Sequence, residues 1–277
     1  MTDEPRYGER IEPSAPRPVE PIGSRPVPPR SRGRYRGPSP VFLGILAVAI
    51  ASGWALWAGF GPAGIVAFLF VTSTWVVSLC LHEFAHALVA YRSGDESVAY
   101  RGYLDLNPLR YTHVMYSIVL PLLFVILGGI GLPGGAVFIN RGALRTRFSR
   151  SAVSAAGPLT NAVVAVLLAI AFAFREGSSP FWVAVAFLML LQVTAALLNL
   201  LPVPGLDGFG IIEPYLSRET VAGAMRVAPY TVIGLFALLW IPQLNQAFFG
   251  LIYGILSLLH VPAILVGSGY ALFQFWR

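Results

Sequence analysis

From Ala63 to Tyr91 the chain is apolar almost without interruption, and Glu83 is the only charged residue in the stretch. Few folds are open to such a run. About 20 consecutive apolar residues cross the hydrocarbon of a bilayer as a helix. Inside lipid every backbone polar group must be bonded within the chain, which favours helices. Comparable runs recur at Val41–Phe60, Ser151–Phe174, Phe181–Leu201, Val227–Trp240 and Phe248–Phe275, the last interrupted at His260-Val261-Pro262. With 56% hydrophobic and 12% charged residues, the chain reads as an all-α polytopic membrane protein of about six transmembrane helices.

The charges supply the topology. The net charge of +6 is carried by arginine alone, since the sequence contains no lysine. Arginines cluster beside the apolar runs, which argues for a positive-inside pattern and against nucleic-acid binding. Residues 1–40 hold ten of the 22 prolines and eight arginines. They are expected to form a disordered cytoplasmic tail, with no cleavable signal peptide. The transmembrane domain then occupies 41–277. Arg92, Arg101 and Arg110 mark one cytoplasmic loop, and Arg141, Arg145, Arg147 and Arg150 mark the next. The segment between them, Met115–Leu132, therefore enters and leaves on the same side. Its breakers Pro121, Gly128, Gly129 and Gly131 agree with a re-entrant hairpin. Val137–Asn140 is expected to be a short strand of that hairpin, with an edge free to receive an extended peptide. Both termini are expected in the cytoplasm. The single Cys80 excludes an internal disulfide and a thiolate metal site.

Leu81–Leu88 reads Leu-His-Glu-Phe-Ala-His-Ala-Leu. His82 and His86, four apart, lie on one helix face and can reach one metal ion. Glu83 beside them can take a proton from water at that ion and return it to a leaving amine. Ionisable groups at this depth are costly and point to a function. His82 lies ten residues from the cytoplasmic end of its run, roughly 15 Å deep at 1.5 Å per residue. Asn161 lies at a similar depth in the following span. It could tie helices together, or face the site as a donor to a substrate carbonyl or an oxyanion. Asn199 precedes Pro202 and Pro204, which stop the fourth span. Asp207 follows on a bent segment between Gly205 and Gly208. It is either an ordinary turn aspartate or the third ligand that a catalytic zinc requires. His113 and His260 are read as non-ligands.

Three motifs resemble the site-2 protease family of intramembrane zinc metalloproteases. They are His82-Glu83-x-x-His86, Gly157-Pro158-x-x-Asn161, and Asn199-x-x-Pro202-x-x-x-x-Asp207-Gly208. The resemblance covers about Ala63–Gly208, and Leu104–Pro108 looks like the compact branch without a PDZ or CBS domain. At the hairpin, Gly134–Asn140 departs from the proline-rich stretch usual in that branch.

The resemblance implies a three-helix catalytic core with His82, His86 and Asp207 on one Zn2+ and Glu83 as catalytic base. It implies Asn161 and Asn199 on the substrate or oxyanion, and a single-span membrane protein as substrate. It further implies regulated intramembrane proteolysis in a bacterial cell membrane, acting for instance on an anti-sigma factor or a remnant peptide. Two rivals share the ligand set: a metal transporter and an inactive membrane scaffold. A transporter would want polar residues along the outer halves of the spans, which are apolar. An inactive scaffold would typically have lost Glu83 or a ligand.

Overall fold

The computed structural model describes residues 37–111 and 137–277. Residues 1–36 of the expected tail, His113 and the expected re-entrant segment Met115–Leu132 lie outside the described residues. Four helices are long and apolar enough to cross a membrane among the described residues. They are α1 Pro40–Ala58, α2 Ala63–Arg92, α3 Arg147–Ala173 and α4 Pro180–Leu200. Their ends follow local chemistry. Ser39 caps α1 by accepting from the Phe42 N–H, and Thr146 caps α3 by accepting from Ser149. Gly59, with φ of 68°, closes α1 in the left-handed conformation that costs glycine least.

The bundle is built around α4. Nearly nine-tenths of its most apolar 18-residue window is buried, against about a third for α1 and α3. Helices α2, α3 and α4 pack against one another in all three pairings, and this is the expected three-helix core. The outward face of α3 carries Leu159, Val163, Val166, Leu167 and Ile170, each about half exposed. A soluble helix would turn such a stripe inward. Here it faces outward, as it must where the surroundings are lipid. Trp54, Trp57 and Phe174 are exposed near the ends of their helices. Aromatic rings are enriched at that level in membrane proteins.

One expected span is corrected, and another is broken as its sequence indicates. Val227–Trp240 does not form one long helix. Pro229 falls in a 3₁₀ turn, and the α-helix that follows, Thr231–Leu239, has only nine residues, too few to cross. Phe248–Phe275 breaks where the sequence interrupts it, at His260–Pro262. It splits into Pro242–Leu258 and Ala263–Phe273, bent by 110°. Pro262 begins the second piece, and His260 at the break is left-handed, with φ of 58°. The described residues thus offer four spans, or five if the bent pair is counted as one. Ala263–Phe273 packs against α4 and α2.

The expected strand at Val137–Asn140 is also corrected: no strand occurs among the described residues. The segment is extended in its side-chain pattern, with Val137 and Ile139 partly buried and Phe138 exposed. Its amides are taken by carboxylates instead of a neighbouring strand. Val137 N–H donates to Glu83 Oε2 at 3.1 Å, and Asn140 N–H donates to Asp95 Oδ2 at 2.7 Å.

Candidate metal centre

Helix α2 runs unbroken from residue 63 to 92 and carries both histidines on its buried face. His82, Glu83 and His86 are each at most 5% exposed. The third group arrives from α4. After Leu200 the chain turns through Pro202 and Pro204, and Gly205 at φ of 93° lets it reverse. Asp207 then opens a short helix, α5, Asp207–Ile212. α5 can lie this close because Gly208 sits against the last carbonyls of α4 and Gly210 against Ser154 of α3.

The turn delivers one carboxylate oxygen to both imidazoles. Asp207 Oδ2 is 3.3 Å from His82 Nε2 and 3.3 Å from His86 Nε2, and the two Nε2 atoms are 3.1 Å apart. Donors on a tetrahedral ion at about 2.0–2.1 Å sit about 3.3 Å from one another. The three spacings therefore suit a zinc-sized ion. Burial alone would raise the Asp207 carboxyl, but His86 and His82 outweigh it and hold that carboxyl below the usual carboxylate range.

The ring nitrogens facing away are fixed. His86 Nδ1 lies 2.6 Å from the Val153 carbonyl. A carbonyl only accepts, so Nδ1 carries the proton and Nε2 presents its lone pair. His82 Nδ1 meets Asn161 Oδ1 at 2.5 Å, with the same consequence. Pro158 sits inside α3 and has no N–H for the Ser154 carbonyl. That loosens the turn from which Val153 offers its carbonyl.

Gly157 tests whether an ion fits. A Cβ built there would lie 2.6 Å from His82 Cε1 and closer still to Nε2 of both His82 and His86. The space in front of both lone pairs is kept clear by the missing side chain. Two lone pairs and a carboxylate converging there, with no room for a side chain, form a seat for a cation.

Glu83 Oε1 is 4.0 Å from His82 Nε2, while its other oxygen is held by the Val137 amide. A cavity of about 460 Å³ reaches Glu83, His86 and Asp207 and is also lined by Arg141, Arg150 and Ser154. Arg141 forms an ion pair with Glu213 at its edge.

Of the two readings of Asn161, its bonds fit the one that ties helices together. Neither Asn161 nor Asn199 lines this cavity. Asn161 turns its oxygen to His82, and its nitrogen donates to Ser78 Oγ at 3.2 Å and to Gln192 Oε1 at 2.8 Å. Asn199 donates to the Ala195 carbonyl one turn back on α4. Sequence reasoning missed three groups that hold this centre: Ser78, Asp95 and Gln192. Gln192 could have been noticed, because few polar residues interrupt the apolar length of α4.

A buried two-histidine, one-carboxylate seat with a glutamate beside it, inside a lipid-facing helical bundle, defines an integral membrane metallopeptidase. Comparison with known proteins gives the family. Residues 70–182 match peptidase family M50. The chain is 46% identical over 245 residues to the zinc metalloprotease named Rip2 of Mycolicibacterium smegmatis, covering 86% of this chain and 94% of that one. It is 44% identical over 247 residues to the Rip2 of Mycobacterium tuberculosis H37Rv, with the same coverage. It is 28% identical over 197 residues to the zinc metalloprotease named YwhC of Bacillus subtilis, covering 67% and 85%. No solved structure matches. The chain belongs to peptidase family M50, the site-2 proteases, and is a zinc-dependent membrane metalloprotease. The transporter and scaffold readings give way to it.

Proposed function

We propose that this protease cleaves a peptide bond within the membrane-embedded segment of a single-span protein, near the cytoplasmic side. The supporting observation is the depth of the centre. His82 lies ten residues from the end of α2, about 15 Å along the helix. The turn that delivers Asp207 lies at the same end of the bundle, as do the arginines that line the cavity. Arginine-rich loops mark the cytoplasmic face, so the start of α1, where Ser39 N–H bonds the Asp105 carbonyl, lies on that side, in a bacterial cell membrane like those of the organisms in which its relatives occur. The C-terminal end, expected on the same side, instead packs through Phe275 against Gly64 at the opposite end of α2.

In this reading His82, His86 and Asp207 hold zinc. When bound, zinc supplies Lewis acidity, polarising a carbonyl and making water nucleophilic near neutral pH. Glu83 accepts the proton of the attacking water and passes it to the departing amine nitrogen. The Val137 amide aims the Glu83 carboxylate. Asn161 and the Val153 carbonyl act through the histidines, fixing ring direction and tautomer. Asn199 secures the end of α4 before the turn. A helical substrate hides its carbonyls in its own hydrogen bonds, so the cleaved segment must unwind at the cavity. An anti-sigma factor or a remnant peptide has the required form, a single apolar span.

The test is cleavage of a panel of single-span substrates by purified protein in bilayers, with zinc content measured on each sample. Wild type should cut. Glu83→Gln should keep zinc and lose about 10²–10⁴-fold in rate. Asp207→Ala should lose zinc. Equal zinc in all three would remove Asp207 from the ligand set, and cutting confined to soluble peptides would remove the intramembrane reading.

A further inference from the structure

Gln192 lies at the middle of α4, fully buried among apolar neighbours. Leucine would fill that place at no polar cost. Gln192 has a cost, because its Nε2 is buried without a hydrogen-bond partner, and an unmade bond of that kind costs about 1–3 kcal/mol. Its oxygen has the opposite situation. Oε1 accepts from Ser78 Oγ at 2.7 Å and from Asn161 Nδ2 at 2.8 Å.

Those two bonds decide which way Asn161 faces. An amide can be turned over, exchanging oxygen for nitrogen. If Asn161 turned over, its NH₂ would face His82 Nδ1, and its oxygen would face Gln192 Oε1, leaving two acceptors together. His82 would then carry its proton on Nε2, on the side of Asp207, and could offer no lone pair there. With Gln192 presenting an acceptor, the Asn161 NH₂ is drawn to α4 and its oxygen to His82. Gln192 cannot turn over alone, because its NH₂ would then confront the Asn161 NH₂. Turned over together, with the Ser78 hydroxyl rotated, the two amides would reverse the chain and leave His82 without a lone pair on the side of Asp207. Of the two directions open to the chain Ser78–Gln192–Asn161–His82, only the one shown leaves His82 Nε2 free for an ion.

We infer that Gln192 is a positioning residue for the metal centre, setting the tautomer of His82 through Asn161. The inference rests on His82 being a zinc ligand. Removing a group that orients a ligand typically lowers metal affinity by about 10- to 100-fold. A residue that merely ties helices together would change stability and leave affinity alone.

The experiment uses the full chain in detergent, stripped of metal. Zinc affinity is measured by competition with a chelating dye, and the visible spectrum is recorded with cobalt(II) in place of zinc. Thermal unfolding of the metal-free protein is followed in parallel. Gln192→Leu should bind zinc about 10- to 100-fold more weakly, with a shifted cobalt spectrum. Gln192→Glu keeps an oxygen acceptor at that place and should recover affinity to within a few-fold of wild type. Ser78→Ala, a smaller change, should weaken zinc in the same direction by less. Wild-type affinity and an unchanged cobalt spectrum in both Gln192→Leu and Ser78→Ala would overturn the inference. His82→Ala separates the two levels of the argument: if it binds zinc as tightly as wild type, the ligand assignment itself fails and the inference falls with it.

Discussion

Adding one methyl group at Gly157 should disable the metal seat without unfolding the protein. The built Cβ lies 2.6 Å from His82 Cε1 and inside that distance from both Nε2 atoms. An ordinary carbon–nitrogen contact is about 3.5 Å or a little less, so both rings must retreat by about an ångström. Metal–ligand bonds tolerate about 0.2 Å. The rings cannot both clear the new methyl group and reach the ion. Overpacking in a close-packed region costs about 1–3 kcal/mol. In the metal-free protein the rings can rotate away, so this cost falls on the bound state. It corresponds to about 5- to 150-fold weaker zinc. Alanine also favours the helix over glycine by about 1 kcal/mol, so the melting temperature of the metal-free protein should stay level or rise. The assay is zinc retention against chelators of graded strength, alongside thermal unfolding of metal-free Gly157→Ala. Wild-type zinc affinity in a folded variant would mean that the ion does not sit between these rings and α3.

Three further outcomes are expected. Asp95→Ala frees the amides of Asn140 and Ser97, both bonded by its buried carboxylate. Hydrogen exchange at residues 137–140 should rise and cleavage should slow while zinc is kept; unchanged exchange would show that the carboxylate does not anchor the segment. Pro158→Ala restores an amide for the Ser154 carbonyl and tightens that turn of α3, so the Val153 carbonyl should leave His86. Stability should hold or improve while zinc affinity falls several-fold, and an unchanged affinity would count against the role given to that carbonyl. Removal of zinc with a strong chelator should abolish cleavage, and restoring zinc should recover it. Activity that survives verified metal loss would contradict the whole scheme.

The sequence was most informative where geometry is local. Histidines four apart on a helix must share a face, and Pro202, Pro204, Gly205 and Gly208 had to make a turn somewhere near Asp207. It was least informative where direction matters. Depth alone placed Asn161 level with His82 but could not say which end of its amide faced the imidazole. Without Ser78 and Gln192 in view, the helix tie and the oxyanion role stood side by side. Apolar count likewise misjudged the C-terminal region, because Pro229, Pro242 and Pro262 divide it into pieces too short or too bent to cross alone. The strand expected at Val137–Asn140 had the right alternation of side chains. Its amides found carboxylates at the two ends of the segment, Glu83 and Asp95, and no sequence pattern announces such partners.

The enclosure of α4 bears on how the protein assembles in a bilayer. Thr194 satisfies itself on the Leu190 carbonyl of its own helix, but the Gln192 oxygen finds its partners only on α2 and α3. In isolation α4 would hold that amide in hydrocarbon with nothing to bond. A helix rotated or slid by one residue in the finished bundle would strand Gln192, Asn161 and Ser78 together, at about 1–3 kcal/mol for each unmet group. Apolar packing against lipid-like neighbours distinguishes such registers only weakly, since lipid tails are as apolar as leucine. The polar chain behind the metal centre therefore works as a register mark, favouring the one alignment of three helices in which a metal can be held.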